Sequence, residues 1–218
     1  MSASSMLTLN EIFYSIQGES TYAGRPCVFV RLTACDLRCA WCDTPYAFDE
    51  GAPVSVDEIL TRVDAYRCPL VEITGGEPLL QADVYRLMHR LLGARKTVLL
   101  ETGGHLDISR VPPEVVKIVD VKCPGSGEDA RNDWGNLDRL APHDQVKFVI
   151  RDRVDFEFAR SVVGRYELAR RCEAVLFSPV HAVLNPATLS AWVLDGRVPA
   201  RVQVQLHKYL WGADTRGV

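Results

Sequence analysis

The chain has 218 residues, 47% of them hydrophobic and 24% charged, with a formal net charge of -3. That length carries one sizeable core, the charge shows no general nucleic-acid footprint, and no apolar run approaches membrane-spanning length. The opening Met1-Ser-Ala-Ser-Ser5 lacks the charged and apolar regions of a secretory leader. Seven cysteines is an odd count, with Cys35, Cys39 and Cys42 clustered and Cys27, Cys68, Cys123 and Cys172 scattered. That pattern suits a reducing cytoplasm with a metal loop better than a disulfide framework.

In chain order, Glu11 to Ile16 reads as a short strand or arm, ending in the polar turn Gln17-Gly18-Glu19. Cys27 to Thr33 is β-branched and apolar and predicts the first main strand. The clustered cysteines follow it directly. Ser55-Val-Asp-Glu58 has the capping-box pattern and opens a helix to about Tyr66. Leu70 to Thr74 is the next strand, followed by Gly75-Gly76-Glu77-Pro78. Gln81 to Leu92 carries Val84, Leu87, Met88, Leu91 and Leu92 at helical spacing.

Further strands are predicted at Thr97 to Glu101, Val115 to Val121, Gln145 to Ile150, Ala174 to Ser178 and Arg201 to Leu206. Helices are predicted around Trp134 to Leu140, from Asp152 to about Arg171, and from Pro186 to Leu194. Strands alternate with helices, which predicts βα units, a mainly parallel sheet and one domain spanning 1–218. Six or seven units are too few for a closed eight-fold barrel, so the expected fold is α/β with a curved, partial (β/α) barrel. Polar and glycine-rich residues follow the strands, where α/β folds place ligand sites.

Three residues separate Cys35 from Cys39 and two separate Cys39 from Cys42, with Trp41 between the last pair. Three thiolates on one loop fall one short of a closed zinc site and one short of an ordinary four-iron cluster. Such a site leaves a metal atom open to another ligand. The alternative is a zinc knuckle completed by Cys27 or a histidine. At the next strand end, the Gly75-Gly76 turn allows close backbone approach to a ligand, and Glu77 offers an acceptor to an ammonium group. The alternative there is an ordinary βα turn. Cys27, Cys68 and Cys172 read as buried small hydrophobes, His89 reads as a surface residue of a predicted helix, and His105, His143 and His181 have no ligand-like spacing.

The cysteine loop resembles the cluster loop of the radical S-adenosylmethionine (SAM) enzymes, C-x3-C-x-aromatic-C, and Gly75 to Pro78 resembles their GGEP motif. Ser15-Ile-Gln-Gly-Glu19, Arg31, Cys42-Asp-Thr44 and the tail Val204-Gln-Leu-His-Lys-Tyr-Leu-Trp211 narrow the resemblance to the 7-carboxy-7-deazaguanine synthases, over nearly the whole chain. The resemblance implies a lyase of queuosine and 7-deazapurine biosynthesis that converts 6-carboxy-5,6,7,8-tetrahydropterin to 7-carboxy-7-deazaguanine with release of ammonia. It implies a [4Fe-4S] cluster on Cys35, Cys39 and Cys42, and SAM used catalytically as the source of a 5′-deoxyadenosyl radical. SAM contacts are implied for Trp41, Cys42, Asp43, Gly75, Gly76, Glu77, Glu101, Lys122, Cys123 and Ser126.

Substrate contacts are implied for Ile16, Gln17, Gly18, Glu19, Arg31 and Thr74, within an N-terminal arm of about residues 8–26, and Mg2+ for Thr44. A single threonine ligand suits Mg2+, which completes its shell with substrate and water. Arg31 offers a bidentate fork to the substrate carboxylate. Ser178, Gln205, His207 and Lys208 are weaker candidates. The resemblance further implies a flavodoxin-type electron donor, a homodimer and a cytoplasmic location, with no nucleic-acid or membrane partner. The alternatives are a glycyl-radical activating enzyme of the same superfamily and a non-enzymatic zinc-binding α/β protein.

Overall fold

Nine strands form one sheet across residues 5–218, the part of the chain that the computed structural model describes. Residues 1–4, which belong to the predicted 1–218 domain and to the stretch read for a leader, lie outside the described residues. The strands are β1 (Met6–Ile16), β2 (Pro26–Leu32), β3 (Ala52–Ser55), β4 (Leu70–Gly75), β5 (Thr97–Thr102), β6 (Val116–Asp120), β7 (Gln145–Ile150), β8 (Ala174–Pro179) and β9 (Arg201–Val202). Their order is β3-β1-β2-β4-β5-β6-β7-β8-β9. From β2 to β9 every neighbouring pair is parallel. β1 lies antiparallel to β2 and β3, so the sheet is mixed at one edge.

Strand alternation divides the sheet's two faces. Val28 pairs with Val71 and Val30 with Ile73, and all four are buried at 0% exposure under the helices. Their neighbours Phe29 and Glu72, then Arg31 and Thr74, are paired on the other face. The helices are α1 (Val56–Ala65), α2 (Val84–Gly93), α3 (Gly135–Asp138), α4 (Arg153–Arg165), α5 (Leu168–Arg171), α6 (Pro186–Asp195) and α7 (Leu206–Leu210). The Ser55 hydroxyl accepts from Glu58 N at 3.2 Å, the predicted cap. Asp152 and Asn185 cap α4 and α6. One apolar cluster joins β1, β2, β4, β5 and β6 to α1 and α2. A second, built on Phe148, Phe156 and Phe177, joins β7 and β8 to α4 and α6.

Three sequence expectations are corrected. The predicted strand from Arg201 to Leu206 pairs only as Arg201–Val202, and α7 begins at Leu206. Its alternating glutamines satisfy side-chain hydrogen bonds to Ser178, Glu19 and Asp43 instead of extending the ladder. The long helix predicted from Asp152 breaks after Arg165, where Glu167 takes a left-handed φ of 51°. The segment around Trp134 to Leu140 forms only one helical turn, Gly135–Asp138. β3, an edge strand next to β1, had no strong sequence signal.

The Gly75-Gly76 turn lies against the protein's own cysteine loop. Gly75 has φ +144°, and a Cβ there would strike the backbone of Leu32. A Cβ on Gly76 would strike the carbonyl of Ala34. Two backbone bonds close this seam: Gly76 N donates to Leu32 O at 3.1 Å and Glu77 N to Ala34 O at 2.7 Å. The substitution Gly75→Ala combines a disfavoured φ with a backbone clash. It is expected to destabilise the cluster-free protein by about 2 kcal/mol or more, read as a lower urea midpoint. An unchanged midpoint would show that the seam yields to a side chain.

Candidate active site

The cysteine loop leaves the carboxyl end of β2 and is tied down at several points. Ala34 N donates to Ala47 O at 2.9 Å, Arg38 N to Glu128 Oε1 at 2.6 Å, and Ala40 N to Ser126 O at 3.0 Å. The Arg38 guanidinium donates to the carbonyls of Cys35 and Leu37 and lies 4.2 Å over the Phe48 ring. Leu37 is buried. Cys35 and Cys39 are half-buried and Cys42 is exposed. Burial pushes all three thiols up, while the Lys122 ammonium pulls each of them back. The other four cysteines are buried elsewhere, and all seven are unpaired.

Among the described residues no three of His, Cys, Asp and Glu converge on one point that would hold a single ion. Three unpaired thiols on one braced loop are a donor set that an iron–sulfur cluster takes, each thiolate binding a different iron.

Glu77 is 1% exposed. Its carboxylate accepts from Leu79 N at 3.0 Å, Gly103 N at 2.7 Å and the Thr102 hydroxyl at 2.9 Å. The carboxylate thus joins the end of β4 to the end of β5. Protein donors thus engage both oxygens of Glu77, the residue expected to accept from a ligand ammonium, and its remaining lone pairs are the acceptors left for one.

The polar face of the sheet gathers charge around Lys147, whose side chain is 6% exposed. Its ammonium donates to Glu101 Oε1 and to Glu19 Oε2 at 3.2 Å, and Asp120 Oδ2 lies at 3.9 Å. Lys122 Nζ donates to Asp120 Oδ2 at 2.9 Å. Thr74 Oγ1 donates to Glu101 Oε2 at 3.3 Å. Burial pushes the Glu101 carboxyl up, but the charge and hydrogen bond of Lys147 outweigh it and hold Glu101 below the usual carboxylate range. For Glu72 burial wins, helped by the charges of Glu101 and Glu19, and its carboxyl rises well above that range.

The Gln17-Gly18-Glu19 turn sits on this network. Gln17 is buried, its amide donating to Glu72 while its Oε1 accepts from Glu19 N at 2.9 Å. Both ends of the Gln17 amide are thus engaged inside the fold. The Glu19 carboxylate is also bound by Gln203 and by Gln205 at 3.0 Å. Gln205 reaches on to Asp43 Oδ2 at 3.2 Å, and Lys208 meets the same oxygen at 2.7 Å. Burial would raise the Asp43 carboxyl, yet Lys208, Thr44 and Gln205 together hold it below its ordinary range. The Thr44 hydroxyl donates to Asp43 Oδ1 at 3.0 Å. Gly18 packs so closely on His207 that no Cβ fits between them, and Leu206 N donates to Gly18 O at 2.9 Å. Helix α7 therefore docks directly on this turn.

Arg31 donates through Nε to Glu11 Oε1 at 2.8 Å and lies 5.5 Å from the Phe13 ring centroid and 5.8 Å from that of Tyr46. Its Nη atoms make no hydrogen bond among the described residues, so the outer edge of the fork is available. Trp41 is half-buried in the cysteine loop, and Ile16 closes β1 opposite Pro26. Two residues expected beside SAM lie deep in the fold. Cys123 is 1% exposed and packed in the second apolar cluster. Ser126 is also 1% exposed, and its hydroxyl donates to Cys123 O at 2.6 Å and accepts from Glu128 N. A cavity of about 370 Å³ lies to one side, lined by Pro179, His181, Leu184, Gln205 and Tyr209.

The carboxyl ends of β2, β4, β5 and β6 thus bring Arg31, the thiol loop, Thr44, the glycine turn, Glu101 and Lys122 together, and the Gln17–Glu19 turn, which leaves β1 beside the start of β2, joins them across the polar face through Lys147 and Gln205. Glu72, Asp120, Lys147 and Gln203 belong to the same network and were not singled out from sequence. Their signal was present: a charged or amide residue at every second position of a strand whose other positions are apolar, as in Val71-Glu72-Ile73-Thr74 and Gln145-Val146-Lys147.

The pattern of the radical SAM superfamily matches residues 30–120. The chain is 46% identical to the 7-carboxy-7-deazaguanine synthase of Koribacter versatilis, over 97% of this chain and 100% of that one. It is 44% identical to the 7-carboxy-7-deazaguanine synthase of Chlorobaculum tepidum, over 100% of both chains. The crystal structure of QueE from Escherichia coli matches with a TM-score of 0.76 over 93% of this chain and 95% of that one. At 21% identity that last likeness concerns the fold.

Removing Lys147 leaves buried carboxylates facing one another. Lys147→Met is expected to cost about 3–5 kcal/mol. The pH dependence carries the diagnosis. With Lys147 present, the depressed Glu101 carboxyl contributes stability above the ordinary carboxylate range, and this is lost only as pH falls through the depressed value. Without Lys147, burial raises that carboxyl, and stability declines as pH rises toward 8. Urea midpoints of cluster-free protein at several pH values test this. A variant whose midpoints fall no more steeply between pH 5.5 and 8 than those of the parent would remove Lys147 from the centre of the network.

Proposed function

The chain belongs to the 7-carboxy-7-deazaguanine synthase family of radical SAM enzymes, and from that membership we propose that it converts 6-carboxy-5,6,7,8-tetrahydropterin to 7-carboxy-7-deazaguanine and ammonia on the route to queuosine and related 7-deazapurines. It is a lyase whose sheet is the partial (β/α) barrel of its superfamily. That membership implies a [4Fe-4S] cluster and SAM. The observation that carries the pterin reading is the bridge made by Gln205 between Glu19 and Asp43, with Thr44 bonded to Asp43. It joins the pterin turn to the residues that follow the third cluster cysteine.

When bound, the cluster and SAM supply radical hydrogen abstraction, with SAM regenerated at the end of each turnover. Cys35, Cys39 and Cys42 hold the cluster in this reading. Trp41, Asp43, the Gly75–Glu77 turn, Glu101 and Lys122 surround SAM, and Cys123 and Ser126 contribute only backbone. Lys122 presents an ammonium to the SAM carboxylate, and Glu101 an acceptor to its ribose. Asp120 Oδ1, buried without a donor among the described residues, offers one further acceptor there.

On the substrate side, Glu19 accepts from the pyrimidine N–H edge, its position held by Lys147 and two glutamine amides. Ile16 and Gly18 supply backbone, and Thr74 a hydroxyl at the strand end. Arg31 turns the outer edge of its fork to the substrate carboxylate, and Thr44 would be the residue that holds Mg2+, which would supply positive charge beside that carboxylate. Burial of Lys147 keeps this arrangement dry and fixed before substrate arrives. We further read residues 1–218 as one domain whose segment 8–26 forms the substrate side, working as a homodimer with a flavodoxin-type electron donor. A cytoplasmic location accords with seven unpaired cysteines. Among the described residues no helix is long and apolar enough to cross a membrane.

The decisive assay is anaerobic turnover of reconstituted protein with dithionite, SAM, Mg2+ and 6-carboxytetrahydropterin, read by mass. The expected outcome is a product that has lost ammonia, with SAM undiminished. SAM cleavage with the pterin untouched would discard the substrate. A second test concerns the metal: Thr44→Ala is expected to raise the Mg2+ requirement about tenfold, the effect of one lost ligand in a sparse shell, without weakening SAM binding. An unchanged Mg2+ titration would remove Thr44 from the metal site.

A further inference from the structure

The loop that carries the thiols has a brace that the reaction itself does not call for. His105 follows β5, and its side chain is 1% exposed. Its Nε2 lies 2.6 Å from Asp36 Oδ1. Asp36 is the neighbour of Cys35, and its carboxylate only accepts, so the imidazole carries its hydrogen on Nε2. The second oxygen of Asp36 is taken by Arg131 Nη2 at 2.6 Å, while Arg131 Nη1 lies 3.4 Å from the Asp36 carbonyl. One carboxylate is thus held from the interior by an imidazole and from the surface by a guanidinium.

The other ring nitrogen makes no such bond. His105 Nδ1 is buried without a hydrogen-bond partner, 3.8 Å from Glu77 Oε2. That same oxygen accepts from Gly103 N, two residues before His105. A site that needed only volume would hold leucine here, with no polar atom left unsatisfied. The fold tolerates the unsatisfied nitrogen because the opposite nitrogen grips the cysteine loop.

We propose that His105 and Asp36 form a positioning pair that fixes the Cys35 thiol for cluster assembly. This rests on the cluster reading of the three cysteines. Cys42, at the other end of the loop, has no contact with the pair: its own amide bonds to Cys39 O at 3.1 Å. The pair therefore acts on one cluster ligand selectively, and a general loosening of the fold would not.

That selectivity is the test. Cluster-free, reduced protein is alkylated anaerobically with iodoacetamide, and each cysteine is followed by peptide mass spectrometry. His105→Leu is expected to raise the Cys35 rate about fivefold or more, the size of effect that one lost charge-assisted hydrogen bond gives, with Cys42 unchanged. His105→Gln, whose amide nitrogen reaches the place of Nε2, is expected to restore the parent rate. In reconstituted protein, His105→Leu is expected to lose its brown colour to a chelator faster than the parent or His105→Gln. Should His105→Leu fail to fold, Asp36→Ala, altered on the exposed side of the pair, is expected to give the same selective rise. Unchanged Cys35 kinetics in the folded variant, or an equal rise at all three cysteines, would overturn the positioning pair. A parent protein that stays colourless after reconstitution would overturn the cluster reading, and this one with it, before any variant is compared.

Discussion

A buried ammonium cannot stand alone. Lys147 sits on the polar face of β7 at 6% side-chain exposure, where an unpaired charge would cost several kcal/mol. Its carboxylate partners come from three places far apart in sequence: Glu19 before β2, Glu101 at the end of β5, and Asp120 at the end of β6. Each carboxylate in turn needs the cation, because three anions would not share so dry a space. The requirement is mutual, and it fixes the N-terminal turn against the middle of the sheet. Gln17 and Glu72 then settle into the space that remains, the amide of one donating to the carboxyl of the other.

From that centre the site divides into two sides. Toward the thiols, Lys122 shares Asp120 with Lys147, and its charge draws each of the three thiols down against the effect of burial. Toward the C-terminus, Glu19 draws in Gln203 and Gln205, and these carry the chain into α7. The same residues thus stabilise the fold and shape the pocket. Helix α7 is short and half-exposed, and little apolar burial holds it. It is positioned by Gly18, Asp43 and Glu19, all of which belong to the candidate site. A ligand that engages these groups would tighten the C-terminal segment as well.

Glycines and one glutamate serve a structural purpose that their motif does not advertise. Gly75 and Gly76 let β4 close on the backbone of Leu32 and Ala34. Glu77 then ties that turn to Thr102 and Gly103. The cysteine loop is consequently held at its root by a neighbouring strand, at its middle by Ser126 and Glu128, and at Asp36 by His105 and Arg131. A loop that must present three thiols to one cluster gains from being ordered beforehand, because ordering then costs less when the cluster forms.

Local signals were sufficient for much of this protein. Alternating apolar runs marked the parallel strands, Ser55 and Glu58 marked the start of α1, and the spacing of Cys35, Cys39 and Cys42 with Gly75 to Pro78 marked the chemistry. These signals are legible because each depends on residues near one another in the chain. The end of the sheet was less so: Arg201 to Leu206 alternates like a strand, but its glutamines find better partners in side chains from β8 and the N-terminal turn. Nor could sequence say which groups of the motif point inward. Gln17, Glu77, Cys123 and Ser126 fit the motif, yet their side chains are consumed by partners or by the core. Lys147, Glu72 and His105 looked like isolated polar residues, because the charges and donors that give them meaning arrive from elsewhere in the chain. The sequence by itself determined the fold class, the thiol loop and the family. Tertiary structure alone decided which side chains gather at the candidate site and which are taken up by partners within the fold, because burial and charge pairing are properties of three-dimensional neighbours.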